Sequence, residues 1–235
     1  MKYLILFLLP LLMFGKVYYA KVEPYESVVL KSAVSGLLLD VDLEAEGSVV
    51  ENKRIIYIDD RLDKVNLKIS NENFLSLQET LNRQKSYFER MDTLKTASTS
   101  QKDTAYYSYS STKRQVLDMQ YKIAQLEDTI EKKSIMLNDK YLYEIMVRKG
   151  DYVSPGTPLA KVEDTSKAKL VIFLESETIE GIDQKIVYLD GEKTDYKVDK
   201  VWKVADEKFI SSYKAEIYIP SPKGAFSKLV KIEIK

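Results

Sequence analysis

Apolar and polar residues alternate in two ways along this chain, with period two at both ends and a repeat of seven in the middle. Before Gly47 runs Gly36-Leu-Leu-Leu-Asp-Val-Asp-Leu, predicting a strand with Leu37, Leu39, Val41 and Leu43 on one face. Before Gly150 comes Tyr143-Glu-Ile-Met-Val, a second strand that also ends at glycine. From each glycine onward the chain keeps the same three-residue spacing: Gly47, Val50, Lys53, Ile56 and then Gly150, Val153, Gly156, Leu159. Gly36, Gly47, Gly150 and Gly156 are read as turn glycines, with Gly47 and Gly150 free to take the positive φ of a tight turn. Val50 and Val153 return to the core, and Pro155-Gly156 makes a second turn. Lys53 departs from the glycine pattern, which puts Asn52 in the left-handed position there. Two copies on either side of a helical stretch predict one small β-domain split by an insertion.

From about Arg61 to Lys95, and from about Asp103 to Asn138, there is neither proline nor glycine. Leu67, Phe74, Leu81 and Phe88 recur at sevens, with Leu77 and Met91 at the companion position. In the second stretch Tyr109, Val116, Ile123, Ile130 and Leu137 form one heptad position, and Met119 and Leu126 the other. Ser70, Gln84 and Lys133 interrupt the seam with polar groups. Two helices of this length span about 50 Å each and are joined by a short polar segment, which predicts an antiparallel coiled-coil hairpin. Ser100-Gln-Lys-Asp103 has capping-box spacing and predicts the start of the second helix. Arg90 and Leu94 lie four apart, off the apolar seam, and give the tip a basic group and an exposed leucine. A solvated arginine beside a leucine that covers the turn is the plainer alternative, as a spacer or dimerisation coil is for the hairpin as a whole.

After Asp164 five strands are predicted: Leu170 to Leu174, Lys185 to Leu189, Tyr196 to Val204, Tyr213 to Ile219 and Phe226 to Ile234. Asp190-Gly191 is a hairpin turn, and Ser176 to Ile182 supplies one helical turn. Short strands with one helical turn predict a small barrel, to which Val22 to Leu30 adds a strand. Trp202 is read as core.

Composition narrows the chemistry. With no cysteine and no histidine, thiolate and imidazole metal ligation, cysteine catalysis, a histidine base and a lipoprotein anchor are all excluded. The acids are scattered over helix faces and turns, so no catalytic site, metal or cofactor is expected. Residues 2 to 20 carry Lys2, an apolar run from Tyr3 to Phe14 and a cut site after Ala20, which read as a secretory signal. Tyr18, three positions before the cut, leaves an uncleaved N-terminal anchor open. Beyond residue 20 there are 34 basic against 36 acidic residues, a net of −2 that argues against nucleic acid.

Strand-and-glycine halves around a coiled-coil hairpin, a barrel after them and an export signal together resemble the periplasmic adaptors, or HlyD-type membrane fusion proteins. The resemblance covers essentially the whole chain. It implies an α+β fold with a split lipoyl-like β-domain (33–59 and 140–164), an inserted antiparallel coiled-coil α-hairpin (60–139) and a small C-terminal β-barrel (165–235). Residues 1–20 would be the signal peptide and 21–32 a strand at the junction. The resemblance further implies a non-enzymatic subunit that assembles in rings in the periplasm. Such a subunit joins an inner-membrane transporter, ABC-type or proton-driven, to an outer-membrane exit duct of the TolC type. Only about a dozen residues precede the first half-motif and the barrel ends the chain, which slightly favours the ABC type.

In that family the hairpin tip docks through Arg, Leu four residues later and Ser seven beyond. Arg90 and Leu94 match; Ser100 comes at six, with Gln101 at seven. Two rivals stay open, a structural coiled-coil envelope protein and a lipoyl or biotinyl carrier. A carrier needs a lysine on a tight turn where this chain has its hairpin.

Overall fold

The computed structural model describes residues 16–205, 211–220, 222 and 226–235; the apolar run of the expected signal lies outside them. The chain forms two compact units, one of residues 29–161 and one of residues 16–28 with 162–235. It is a mixed α and β protein with a long helical pair and two sheets.

In the unit of residues 29–161, two stretches of sequence knit together. The first contributes β2 (Gly36–Val41), β3 (Ser48–Val50) and β4 (Lys53–Ile58); the second contributes β5 (Ser134–Leu137), β6 (Lys140–Ile145) and β7 (Tyr152–Val153). Each strand of one stretch pairs antiparallel with a strand of the other: β4 with β5, β3 with β6 and β2 with β7. The glycine pattern serves the turns as expected, with Gly47, Gly150 and Gly156 at φ of 75°, 95° and 91°. Asn52 takes φ 43°, the left-handed position assigned to it from sequence. Val50, Val153, Ile56 and Leu159 are all buried.

Gly36 differs from the turn role expected of it. It opens β2 opposite Val153, and a Cβ there would stand 2.5 Å from Ile58 Cγ2, so the position needs a side chain that is absent rather than an unusual φ. The expected strand face is also displaced. Leu38 is the fully buried residue, Leu37 and Leu43 are each 41% exposed, and the β2–β4 register shifts between Leu38 and Asp40. Leu37, Leu38 and Leu39 are consecutive leucines, so alternation alone does not choose which of the two faces is buried, and the shift falls only after Leu38.

The helices are α1 (Arg61–Thr93) and α2 (Thr99–Lys132). Phe88 near the end of α1 stacks on Tyr109 near the start of α2, at 5.8 Å between ring centroids. At the other end Lys133 ion-pairs with Asp63 and donates to the Asp59 carbonyl at 2.7 Å, so the helices run antiparallel. The seam tracks the heptads, with Val116 buried and Phe74, Leu77, Leu81, Met119, Ile123 and Leu126 half-buried. Ser70, expected as an interruption, is buried within it.

The second helix ends earlier than predicted. Leu137 belongs to β5 rather than to the seam, because Ser134 to Leu137 satisfy their backbone groups against β4 instead of extending the helix.

In the other unit, the paired order is β10 (Glu192–Lys193), β9 (Val187–Leu189), β13 (Leu229–Ile234), β1 (Lys16–Lys31), β8 (Pro158–Glu175), β12 (Ser212–Pro220) and β11 (Lys200–Val201). Leu170, Ile172, Leu174, Ala215, Ile217 and Ile232 form its core. Asp190 and Gly191, at φ 49° and 90°, make the expected two-residue hairpin turn. The helical turn is α3 (Ser176–Ile179), with a 3-10 turn after it at Ile182–Gln184. The strand expected from Tyr196 to Val204 contracts to β11, and among the described residues the end strands β10 and β11 do not pair with each other.

Two further expectations change. Lys16 to Ala20 belong to β1, where they pair with Val230 to Ile234 of β13 and Ala20 is buried, so a cut after Ala20 would remove the first five residues of a paired strand. Trp202 is half-buried rather than core. No described helix is long and apolar enough to cross a membrane.

Candidate partner interface at the hairpin tip

The tip is built from local hydrogen bonds. Leu94 caps α1 in an extended conformation, its amide donating to Met91 O, and the Ala97 amide donates to Leu94 O. Thr93 Oγ1 donates back to Glu89 O and Arg90 O, which satisfies carbonyls at the frayed helix end. Ser98 then caps α2. Its hydroxyl accepts from the Gln101 amide at 3.3 Å while Gln101 Oε1 accepts from the Ser98 amide at 2.9 Å, a reciprocal capping box. Lys102 Nζ reaches across to Asp92 O at 2.6 Å and ties the start of α2 to the end of α1. Below the turn, Tyr106 leans on Phe88 at 5.5 Å.

The expected box at Ser100 and Asp103 is therefore not the one used. Ser98-Thr-Ser-Gln101 has the same spacing with a better N3 residue, since Gln carries both a suitable acceptor and the reach that Asp lacks. That signal was present in the sequence. Gln101, at the strict seven-residue spacing from Leu94, has its side-chain oxygen committed to the cap.

The three residues singled out for docking all stand at this end of the hairpin. Arg90 is in the last turn of α1, Leu94 is its cap, and Ser100 is in the first turn of α2; all three are exposed, Leu94 to 49%. No described side chain pairs with the Arg90 guanidinium. The tip thus offers a free cation, an apolar group and a hydroxyl that its own fold does not consume.

The opposite end of the hairpin is bound tightly. The Asp59 carboxylate takes hydrogen bonds from the Arg61 side chain, at 2.6 and 2.9 Å, and from its amide, which hold it at a pKa of about 2. Burial pushes Asp60 upward, but the Tyr57 hydroxyl and the Lys64 ammonium, at 2.5 and 2.9 Å, outweigh it and leave the group below its usual range. One end of the hairpin is clamped by charge and the other is presented.

No family profile matches the sequence, and no curated protein does. Solved structures do. A MacA–MexA chimera containing the Pseudomonas aeruginosa MexA α-hairpin domain aligns over 94% of this chain and 80% of its own, with TM-score 0.70 and 19% identity. The membrane fusion protein Spr0693 from Streptococcus pneumoniae aligns over 94% of this chain and 99% of its own, with TM-score 0.70 and 11% identity. The fold is that of the membrane fusion proteins. MacA from Actinobacillus actinomycetemcomitans, at TM-score 0.59 and 19% identity, aligns over 94% of this chain and 78% of its own. At these identities the membrane fusion likeness is one of architecture.

Proposed function

We propose that this chain is the periplasmic adaptor of a tripartite efflux or secretion system, linking an inner-membrane transporter, ABC-type or proton-driven, to an outer-membrane exit duct of the TolC type. In this reading residues 33–59 and 140–164 form a split lipoyl-like domain, 60–139 the inserted hairpin and 165–235 the barrel. Copies of the chain assemble into a ring around the path of the cargo. The hairpin tip docks on the duct, with Arg90 pairing with an acceptor, Leu94 filling an apolar recess and Ser100 hydrogen-bonding at the rim. The protein performs no chemistry and binds no cofactor; its work is to position two membrane partners.

The observation that carries this reading is the exposed Arg90 and Leu94 at the end of a hairpin about 50 Å long, on a membrane-fusion-protein fold. A carrier role is disfavoured because α1 and α2 stand between β4 and β5, where a carrier presents its lysine on a tight turn.

The test is in-cell crosslinking from a photoreactive residue at position 94, with the captured protein identified by mass spectrometry. Capture of an outer-membrane duct is the expected result. Capture of only another copy of this chain would overturn the reading in favour of a structural coiled-coil envelope protein.

A further inference from the structure

One face of the sheet β1-β8-β12-β11 has no part in the hairpin or its tip. Ala168, Leu170, Ile172 and Leu174 of β8 and Ala215 and Ile217 of β12 are buried in the core, so alternation turns their neighbours outward. Register sets Lys169 opposite Tyr218, Lys167 opposite Pro220, and Lys200 of β11 opposite Glu216. Tyr18, Ala20 and Val22 of β1 pack against the same core, which turns Lys21, Glu23 and Tyr25 outward.

On this face lysines stand over aromatic rings. The ammonium groups of Lys200 and Lys214 lie 4.2 and 4.3 Å from the Trp202 ring centre, and that of Lys167 lies 5.4 Å from the Tyr25 ring centre. Tyr25 in turn meets Tyr218 edge-on at 5.3 Å.

The acids here are largely consumed. Glu216 is buried, accepting from the Tyr218 hydroxyl at 2.7 Å and pairing with Lys214 at 3.0 Å. Asp199 at the rim accepts from the Tyr218 amide, and Glu23 is half-buried. With the Lys214–Glu216 pair set aside, Lys21, Lys167, Lys169 and Lys200 stand against the exposed Asp199 and the half-buried Glu23.

We propose that this lysine and aromatic face of the sheet docks on an anionic phospholipid surface. Tryptophan and tyrosine rings are amphipathic and settle at headgroup depth, while lysine stems lie along them and hold their ammonium groups at the phosphates. An acidic protein surface would satisfy the charge, but it gives no reason for rings to sit beneath the cations. Lipid contact at this face is independent of what the hairpin tip binds.

Trp202 is the only tryptophan of the chain and lies within the face, so its fluorescence reports on this contact alone. The full-length protein is titrated with vesicles of phosphatidylcholine and with vesicles in which part of it is replaced by phosphatidylglycerol. Emission is monitored together with co-sedimentation. The expected result is a blue shift and sedimentation with the phosphatidylglycerol vesicles that high salt reverses. The pair Lys167→Glu and Lys200→Glu, both exposed, should lower that affinity by on the order of tenfold or more. Equal binding to both vesicle types, binding that the double variant retains, or sedimentation without a Trp202 shift would each overturn the proposal. Absence of any binding to either vesicle type would overturn it as well.

Discussion

At Gly36 a single methyl group is more than the sheet can hold. A Cβ there would meet Ile58 Cγ2 at 2.5 Å, and Ile58 is fully buried, so something in the core must shift. Gly36→Ala should cost about 1–3 kcal/mol of stability, measured by chemical denaturation. Gly47→Ala meets no neighbour but must hold φ 75°, and should cost only about 1 kcal/mol. Carboxylates at the surface set the acid limit. Asp59 is held at about 2 against an ordinary 3.8 by Arg61, and Glu233 at about 2 against 4.5 by Lys231 and Lys235. Both pKa values are depressed on folding, so their stabilisation is complete above about pH 4.5 and disappears as pH falls toward 2. The thermal midpoint should decline through that window, and Arg61→Gln should flatten the decline without changing the slope near neutrality. The left-handed positions at Gly47, Gly150, Gly156 and Asn52 were legible in the sequence because glycine and asparagine mark such turns chemically, whereas Asp139 and Ser227, at φ 52° and 71°, were not singled out. Gly36 carried no such mark, because its need for glycine comes from Ile58, a residue far along the chain.

The helices were the most legible elements. Heptads count residues along one strand of chain, and an apolar seam must form wherever they persist, so Leu67, Phe74, Val116 and Ile123 were assigned to packing positions without reference to tertiary contacts. The ends were harder. Ser98 and Gln101 cap α2, and Ser98→Ala should lower hairpin stability by about 1 kcal/mol while Ser100→Ala should be near neutral; far-UV thermal scans distinguish the two. Lys133, read as a break in the seam, is instead a buried cation paired with Asp63 and bonded to the Asp59 carbonyl. Lys133→Ala should cost about 1–3 kcal/mol by leaving those acceptors without a partner. Strands were read less well. Leu137 changed from helix to β5 and Tyr196 to Val204 shrank to β11, because a strand is stabilised by its neighbour and the neighbour is chosen by topology.

Across the whole molecule, the hairpin enters and leaves through strands that already pair, with Tyr57 opposite Ser134 and the Ile58 amide bonded to Lys133 O. Replacing residues 61–132 by a two-residue Asn-Gly turn should therefore leave a cooperatively unfolding β protein, detected by circular dichroism, that no longer captures an outer-membrane duct. Charge reversal at Arg90 should weaken duct capture with helicity unchanged, since no described group of the fold depends on that guanidinium. By itself the sequence determined the periodic features: two glycine-marked β stretches, a seven-residue helical repeat between them and the absence of thiol and imidazole chemistry. These depend on spacing and composition, which are local. Only the tertiary structure decided that Leu38 rather than Leu37 is buried and that Trp202 lies under two lysines on an outer face. Each of those depends on which distant backbone supplies the partner, and that choice exists only once the strands have paired.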